Sequence, residues 1–363
     1  MTKRGDESAR SQGPLRLDPY LDPKPWGGHG LRRIGFVLPD DTLIGEAHLT
    51  ASGATVADGP LMGKTLGELV AADPEGTIGA LGLRVTGGEP VFPLLIKLID
   101  AHDVLSVQVH PNDDEARAQH SLGKTEAWHV LSAGVESELY LGLHTPSDLA
   151  ELGIRARAGA RTSGFLRAIP ARPGETVLIP AGTIHALGAG IMVYEIQQPS
   201  GITYRLDDWG RVGTDGKPRE LHLDQSLAVA KPAYQPEPIA PVALVPGRDL
   251  VAACRYFALE RLALAPEQTV SIDHPESPAV VTLLDGNGII SAAGEELTIR
   301  PGETVVVFPR DMPAMLRSTP TTLTALHGWV PDLAADVVNP ARLAGASDRE
   351  IAALAGPLGN LGE

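Results

Sequence analysis

Residues 173–180 read PGETVLIP, and residues 301–309 read PGETVVVFP with one inserted residue. Each copy follows a run of strand-like segments and leads into a further strand, which is typical of a duplicated structural unit rather than of one repeated turn. The length of 363 residues is what about two domains need. The repeat therefore predicts two related β-barrels.

Short strands dominate the rest of the pattern. The 40 Gly and 31 Pro are scattered through the chain and favour tight turns between such strands. We therefore expect an all-β-dominated fold with a few connecting helices. The helices are predicted from apolar spacing and capping residues at 66–70, 112–120 (with Asn112 as N-cap), 145–153, 220–230 and 348–356.

A proline-rich stretch at residues 230–247 opposes both helix and central strand. We place the domain boundary there. The expected units are an N-terminal catalytic domain over 1–231, a degenerate C-terminal domain over 232–331 and a helical tail over 332–363.

The bulk properties exclude several classes of partner. A formal net charge of -15 repels polyanions, so neither nucleic acid nor an anionic membrane surface is expected as a partner. Cys254 is the only cysteine, which excludes an internal disulfide and fits a reducing cytoplasm. The first twelve residues are polar, and no apolar run approaches a membrane span. We expect a cytoplasmic protein, and the oligomeric state stays open.

Alternation along two strands places polar side chains on shared faces. In LSVQVHP (105–111), Ser106, Gln108 and His110 fall on one face. In the segment GKTEAWHV, which begins at residue 123, the same alternation places Lys124, Glu126 and Trp128 on one face and His129 on the other. His129 is therefore predicted to be structural.

A further histidine follows a turn in IPAGTIHAL (179–187), where His185 would return towards the barrel mouth. Gln108, His110, Glu126 and His185 together offer two imidazoles, a carboxylate and an amide oxygen. That donor set suits one zinc ion with a position left for solvent or substrate. A lone Gln-x-His on a strand is usually only a polar face, so the prediction depends on all four residues.

Several longer segments together resemble a known family. They are WGG (26–28), PLLIKLID (93–100), LSVQVHPND (105–113), GKTEAWHVL (123–131), IPAGTIHALGAG (179–190), YEIQQPSGITYRLDDWGR (194–211) and GRVGTDGKPRELH (210–222). In this order they are similar to the signature segments of type I mannose-6-phosphate isomerases of the short bacterial branch, and PGETVLIPAG resembles the second cupin motif. The resemblance implies two cupin jelly-roll barrels. It also implies that Gln108, His110, Glu126 and His185 bind zinc.

The resemblance implies an activity as well, the interconversion of mannose 6-phosphate and fructose 6-phosphate through a cis-enediol. Lys124 and Arg205 would face the substrate, and Arg205 would stabilise the enediolate. Either Glu195 or Lys124 would be the base that moves the proton, with Glu195 preferred. The alternative for Glu195 is a simple ion pair with Arg205, and for Lys124 an ion pair with a neighbouring carboxylate.

Three more residues are implied for substrate binding. Lys97 and Ser106 would lie on the phosphate side and Trp26 at the pocket wall, although Lys97 could instead be an exposed edge residue. The sequence departs from the family pattern at His48, where a tryptophan is usual, and at Asp207, which lies in a variable position. Neither departure touches a proposed metal ligand.

Two other functions remain open at this level. One is a metal-dependent cupin dioxygenase, which Gln108 in the ligand set disfavours. The other is a non-catalytic sugar-binding cupin, which would need neither Arg205 nor a base. For the isomerase, we expect one catalytic zinc per chain, in the first barrel, because aligning Pro180 with Pro309 puts Ala314 opposite His185. The second barrel would instead have an apolar interior with Val305, Val307 and Leu323.

Overall fold

The computed structural model describes residues 13–213 and 216–362, so the polar start of the chain lies outside the described residues. No helix among the described residues is long and apolar enough to cross a membrane. The α-helices of these residues are α1 (Leu66–Ala72), α2 (Pro74–Val85), α3 (Asp113–Ala116), α4 (Asp148–Arg157), α5 (Leu223–Val229), α6 (Asn339–Leu343) and α7 (Asp348–Ala353).

All five predicted helices are confirmed, and the capping prediction at α3 is confirmed in detail. The Asn112 side chain accepts a hydrogen bond from the Glu115 backbone N–H, while the Glu115 carboxylate accepts one from the Asn112 N–H. Helix α2 was not predicted. Gly79 interrupts it with a φ of 66°, and a Cβ there would lie 2.4 Å from the Glu276 carbonyl oxygen. The kink breaks the helical period on which the prediction depends.

Strands make up most of the remaining structure. In chain order they are β1 (Leu15–Asp18), β2 (Tyr20–Gly28), β3 (Ile44–His48), β4 (Thr55–Val56), β5 (Leu95–Ala101), β6 (Val107–Val109), β7 (Glu126–Ala133), β8 (Glu138–Leu143), β9 (Leu166–Pro170), β10 (Thr176–Ile179), β11 (His185–Leu187), β12 (Ile191–Gln197), β13 (Tyr204–Asp207), β14 (Val242–Val245), β15 (Arg248–Ala253), β16 (Ala258–Leu264), β17 (Thr269–Ile272), β18 (Ala279–Asp285), β19 (Gly288–Ala292), β20 (Glu295–Ile299), β21 (Thr304–Val307), β22 (Ala314–Ser318) and β23 (Leu323–Trp329).

These strands form four antiparallel sheets. The first half contains a six-stranded sheet (β10-β7-β12-β5-β3-β2) and a five-stranded sheet (β13-β6-β11-β8-β9). The second half contains an eight-stranded sheet (β14-β15-β16-β23-β18-β21-β1-β4) and a four-stranded sheet (β17-β22-β19-β20). The fold is therefore mostly β, as predicted. None of these sheets closes on itself within the described residues. The two expected barrels are therefore not confirmed as closed barrels, and each half contains a pair of open sheets.

The pairing of β1 with β21 crosses the predicted domain boundary. Leu15 lies opposite Val306, and β4 pairs with the other edge of β1. Two strands from the start of the chain thus extend the sheet of the C-terminal half. The division at residues 231 and 232 stays a prediction.

Apolar side chains fill the space between the sheets of each half. Val305, Val307 and Leu323 are fully buried in the cluster of the second half, so the predicted apolar interior is confirmed for these residues. A larger cluster includes residues of both halves, among them Ile196 and Leu326. Burial of this shared surface, at about 25 cal/mol per Å² of apolar area, holds the halves together.

Candidate metal centre and active site

The facing strands of the first half bring the four predicted metal ligands together. His185 on β11 pairs directly with Gln108 on β6, and Glu126 enters from β7 in the opposing sheet. His110 lies one residue beyond β6. Antiparallel pairing therefore collects side chains that are 77 residues apart, as in the Gln108 and His185 pair.

Ligand atoms of three residues lie within 4.8 Å of one another. The distance from His185 Nε2 to Glu126 Oε1 is 3.1 Å, and that from His110 Nε2 to Glu126 Oε2 is 3.7 Å. The Gln108 amide approaches His185 Nε2 to 3.2 Å. Because the oxygen and nitrogen of an amide are interchangeable by rotation, Gln108 can present its oxygen at the same place.

Backbone carbonyls orient both imidazoles. His110 Nδ1 donates a hydrogen bond to the Ile202 carbonyl at 2.9 Å, and His185 Nδ1 donates to the Thr183 carbonyl at 2.9 Å. Each ring therefore keeps its Nε2 lone pair for the space beside Glu126. Among the described residues, His110 Nε2 is buried without a hydrogen-bond partner, and Glu126 Oε1 faces the unprotonated His185 Nε2 at 3.1 Å. Buried acceptors that are unpartnered or face one another are costly unless a cation binds them.

Protonation in this cluster follows from burial and from one lysine. Burial, with the Lys124 ammonium nearby, holds the pKa of His110 well below its ordinary value, which keeps the imidazole neutral. Burial disfavours the Glu126 carboxylate, but the Lys124 ammonium at 3.0 Å outweighs it, and the pKa of Glu126 lies well below its usual range. Neutral imidazoles and an ionised carboxylate are the forms that bind metal cations.

A pocket opens directly beside these ligands. Its lining includes every predicted substrate-binding or catalytic residue, namely Trp26, Lys97, Ser106, Lys124, Glu195 and Arg205, and the predicted metal ligand Gln108. It also includes five polar or aromatic residues to which the sequence analysis assigned no role: Lys24, Glu46, Trp128, Thr203 and Arg219. His129 lies on the far side of β7, where its Nδ1 bonds Thr176 at 2.8 Å, as the alternation predicted.

Glu195 is paired with Lys97 rather than with Arg205. The Lys97 Nζ lies 3.3 Å from Glu195 Oε1 and 3.5 Å from Glu46 Oε2, and Trp128 Nε1 donates to Glu195 Oε2 at 2.8 Å. Burial favours the neutral amine, but the two carboxylates outweigh it and raise the pKa of Lys97 above its ordinary value. Lys97 is buried, so the alternative of an exposed edge residue is wrong. The alternative ion pair for Lys124 does form, with Glu126.

Arg205 reaches the pocket from β13. Its Nη1 donates to the Glu220 carbonyl at 2.9 Å, and among the described residues its buried Nε has no partner. Arg219 stands beside it and binds both carboxylate oxygens of Asp208. Partial burial and the neighbouring Arg219 charge lower the pKa of Arg205 below its ordinary value, yet a guanidinium stays charged at neutral pH.

Two of the unassigned residues could have been found from the sequence. Glu46 is two residues before His48, so both share a face of β3, and His48 Nε2 lies 2.8 Å from Glu46 Oε2. Arg219 lies within the segment GRVGTDGKPRELH.

Asp22, Glu46 and His48 form a second group with metal-ligand spacing. Lys24 at 2.8 Å from Asp22 and Lys97 already neutralise it.

Comparison with known proteins agrees with this geometry. The family model described as "Phosphomannose isomerase type I, catalytic domain" matches residues 15–129. A mannose-6-phosphate isomerase of Streptococcus mutans is 34% identical over 304 residues, which cover 81% of this chain and 92% of the relative. The chain belongs to the type I phosphomannose isomerase family.

This phosphomannose isomerase family member has further relatives. Mannose-6-phosphate isomerase ManA of Bacillus subtilis is 33% identical over 285 residues, 76% of this chain and 86% of the relative. The crystal structure of the mannose 6-phosphate isomerase from Bacillus subtilis superposes with a TM-score of 0.76 at 29% identity, covering 87% of this chain and 99% of the other. The chain is accordingly an isomerase, and the dioxygenase and non-catalytic alternatives are wrong.

Proposed function

We propose that this isomerase is zinc-dependent and interconverts mannose 6-phosphate and fructose 6-phosphate through a cis-enediol. The observation that carries the proposal is the convergence of buried ligand atoms at the edge of a cation-rich pocket, where His110 Nε2 and His185 Nε2 both face the Glu126 carboxylate. The relatives from Streptococcus mutans and Bacillus subtilis are mannose-6-phosphate isomerases, which supports the substrate.

The donor set fits one zinc ion. His110, His185, Glu126 and Gln108 would hold it, with both imidazoles already in the tautomer that binds through Nε2. Zinc accepts nitrogen ligands together with a carboxylate and is often left with an open position in catalytic sites. When bound, zinc would supply Lewis-acid polarisation of the sugar oxygens.

Cations of the pocket select an anionic substrate. Lys24, Lys97, Lys124, Arg205 and Arg219 line it against the carboxylates of Glu46 and Glu195. Arg205 has a buried Nε with no partner among the described residues, and its fixed charge would stabilise the enediolate oxygens. Ser106 and Lys97 are still predicted to bind the substrate phosphate, and Trp26 is still predicted to form part of the pocket wall.

Glu195 is the proposed base that carries the proton between C2 and C1. The Trp128 indole N–H donates to Oε2 at 2.8 Å, and the Lys97 ammonium lies 3.3 Å from Oε1. These two contacts fix the carboxylate in the lining of the pocket. Lys124 is held by Glu126 at 3.0 Å, so it is the weaker candidate for a base and the better one for neutralising developing charge.

The remaining expectations are part of the same proposal. Each half, a pair of facing sheets, would be a cupin barrel, with catalysis in residues 1–231, a degenerate barrel in 232–331 and a helical tail in 332–363. The cytoplasmic location and the absence of nucleic-acid and membrane partners stay predictions from the sequence.

A coupled assay tests the proposal. Purified protein should convert mannose 6-phosphate to fructose 6-phosphate, lose the activity to a chelator and regain it with zinc. Unphosphorylated mannose is the matched control substrate. Full activity after verified metal removal would exclude the zinc mechanism, and turnover of mannose alone would exclude the phosphorylated substrate.

A further inference from the structure

The two halves of the molecule repeat one sheet order. In the first half the order is β10-β7-β12-β5-β3-β2, and in the second it is β21-β18-β23-β16-β15-β14. The facing sheets correspond in the same way, β6-β11-β8-β9 with β17-β22-β19-β20. The sequence repeat aligns Thr176 with Thr304 and Ile179 with Val307, so residue equivalences can be read through the strand registers.

On the side of the base, the strand register places a different ionisable residue at each equivalent position. Trp128 pairs with Val177 and with Glu195, while Val281 pairs with Val305 and His327. His327 therefore occupies the place of Glu195. Glu260 corresponds to Lys97, because they pair with His327 and Glu195. Arg248 corresponds to Glu46, because these residues pair with Leu262 and Ile99, which lie two positions after Glu260 and Lys97.

On the metal side, most ligands are lost. Glu126 corresponds to Ala279, since they pair with Ile179 and Val307, and His185 corresponds to Ala314. Gln108 corresponds to Ile272, because these residues pair with His185 and Ala314. Two residues further on, His110 corresponds to His274. The site lacks a ligand set for metal but keeps one buried imidazole.

A cavity of about 510 Å³ opens at this place, within the range of small-molecule sites. One wall contains the near-parallel rings of His274 and Trp329, with centroids 4.6 Å apart and planes at 14°, and His327 stacks on Trp329 at 16°. The outer wall is built by apolar side chains of β14 and α6: Leu244, Val245, Pro340, Leu343 and Ala344.

The wall of this cavity contains buried ring nitrogens that lack hydrogen-bond partners. The His274 side chain lines the cavity and is 10% exposed, yet neither of its nitrogens has a hydrogen-bond partner among the described residues. Burial, with His327 close by, keeps the pKa of His274 well below its ordinary value, so the ring is neutral. A neutral imidazole offers one donor and one acceptor, which a hydroxyl group can satisfy.

The cavity does not suit an anion. Arg248 is the cation of its lining, and Glu260 already neutralises it: Nε and Nη2 bind the Glu260 carboxylate at 2.7 and 2.9 Å, and Nη1 binds the Ser271 carbonyl at 3.1 Å. Asp273 and Asp336 also line the cavity. A phosphate would therefore meet two carboxylates and one cation whose charge is already paired, which is the reverse of the catalytic pocket.

We propose that the second half holds a binding site for a neutral, hydroxyl-rich ring compound, an unphosphorylated hexose, at the place equivalent to the catalytic pocket. The ring C–H face would pack against the aromatic and apolar walls. The hydroxyl groups would bond the free nitrogens of His274 and the carboxylates of Asp273 and Asp336. This site does not depend on the proposed activity of the first half.

Calorimetric titration of the full chain with D-mannose tests the site, in an equilibrium mixture of the two sugar phosphates that occupies the catalytic pocket. We expect one saturable equivalent of mannose, with open-chain mannitol binding at least about 10-fold more weakly. Leu343→Arg should weaken mannose binding at least about 10-fold, because Leu343 is 89% exposed and lines the cavity mouth. Val135→Arg, at a fully exposed position outside the cavity lining, is the matched control.

His274→Phe gives a second measurement, because it keeps a stacked ring and removes the two nitrogens. It should weaken mannose binding by a similar factor while the melting temperature is kept or raised. Absence of saturable binding, equal affinities in wild type and Leu343→Arg, or equally tight binding of mannose 6-phosphate at this site would overturn the proposal. Binding of glucosamine without mannose would also overturn it, because it would indicate an amine ligand.

Discussion

A substitution of Arg205 can test catalysis separately from metal binding. It lines the pocket but lies outside the group of metal-ligand atoms. Arg205→Ala should lower kcat at least about 100-fold, the usual cost of losing a charge that stabilises the transition state. Zinc content, measured by atomic emission, should stay at the wild-type value.

Arg155→Ala is the matched control for this change, because Arg155 forms an exposed ion pair with Glu151 on α4. It should leave kcat unchanged. A near-normal kcat in Arg205→Ala would remove Arg205 from the chemistry, and loss of zinc would reassign it to the metal site.

Glu195 and Lys124 can be distinguished as bases by conservative substitution. Glu195→Gln keeps the acceptor for the Trp128 N–H but removes the basic carboxylate. We expect kcat to fall about 10²- to 10⁴-fold, the range for general acid–base catalysis. Exchange of the C2 proton with solvent, followed by NMR, should slow by the same factor.

Lys124→Gln is the comparison variant. It removes the cation that stabilises Glu126, so we expect weaker zinc binding together with a smaller fall in kcat at saturating zinc. If proton exchange stops in Lys124→Gln and persists in Glu195→Gln, the base is Lys124.

At the scale of a single element, strand β7 carries chemistry on one face and stability on the other. His129 faces away from the pocket, and burial, reinforced by the Arg261 charge, lowers its pKa from 6.5 to about 4. In the unfolded chain the ring takes up a proton below pH 6.5, while the folded ring does not until about pH 4. This residue therefore makes the fold less stable as pH falls through that window.

The expected size is about 2 kcal/mol of unfolding free energy between pH 7 and pH 5. His129→Gln should remove that part of the pH dependence in urea unfolding, whereas the exposed His144→Gln should not. Identical pH slopes in wild type and His129→Gln would show that the ring titrates normally in the folded protein.

At the scale of the whole molecule, the duplicated fold predicts one metal per chain. The residues equivalent to Gln108, Glu126 and His185 are Ile272, Ala279 and Ala314, so the second half has no comparable donor set. His185→Ala should reduce bound zinc from about one equivalent to about none. His102→Ala, at an exposed histidine, is the control and should retain the metal. A tight second equivalent that survives His185→Ala would contradict this reading.

Much of the candidate site could be predicted because it depends on local alternation. A period of two fixes Gln108 and His110 on one face and sends His129 to the other, whatever the strands later meet. The partner of Glu195 could not be predicted in this way. The register between β12 and β5 places Glu195 opposite Lys97. Nothing within either segment indicates that Glu195 pairs with Lys97 rather than with Arg205.

The sequence by itself determined the mostly β fold, the duplication and the identity of the metal-ligand candidates. These follow from short-range periodicity, turn residues and donor chemistry, which neighbouring residues impose on one another. Only the tertiary structure decided that β1 pairs with β21, that Lys97 lies between two carboxylates, and that Arg248, His274 and Trp329 meet at a second cavity. Such contacts join residues distant in the chain, so they are set by strand register and by the burial of whole sheets, which no single segment encodes.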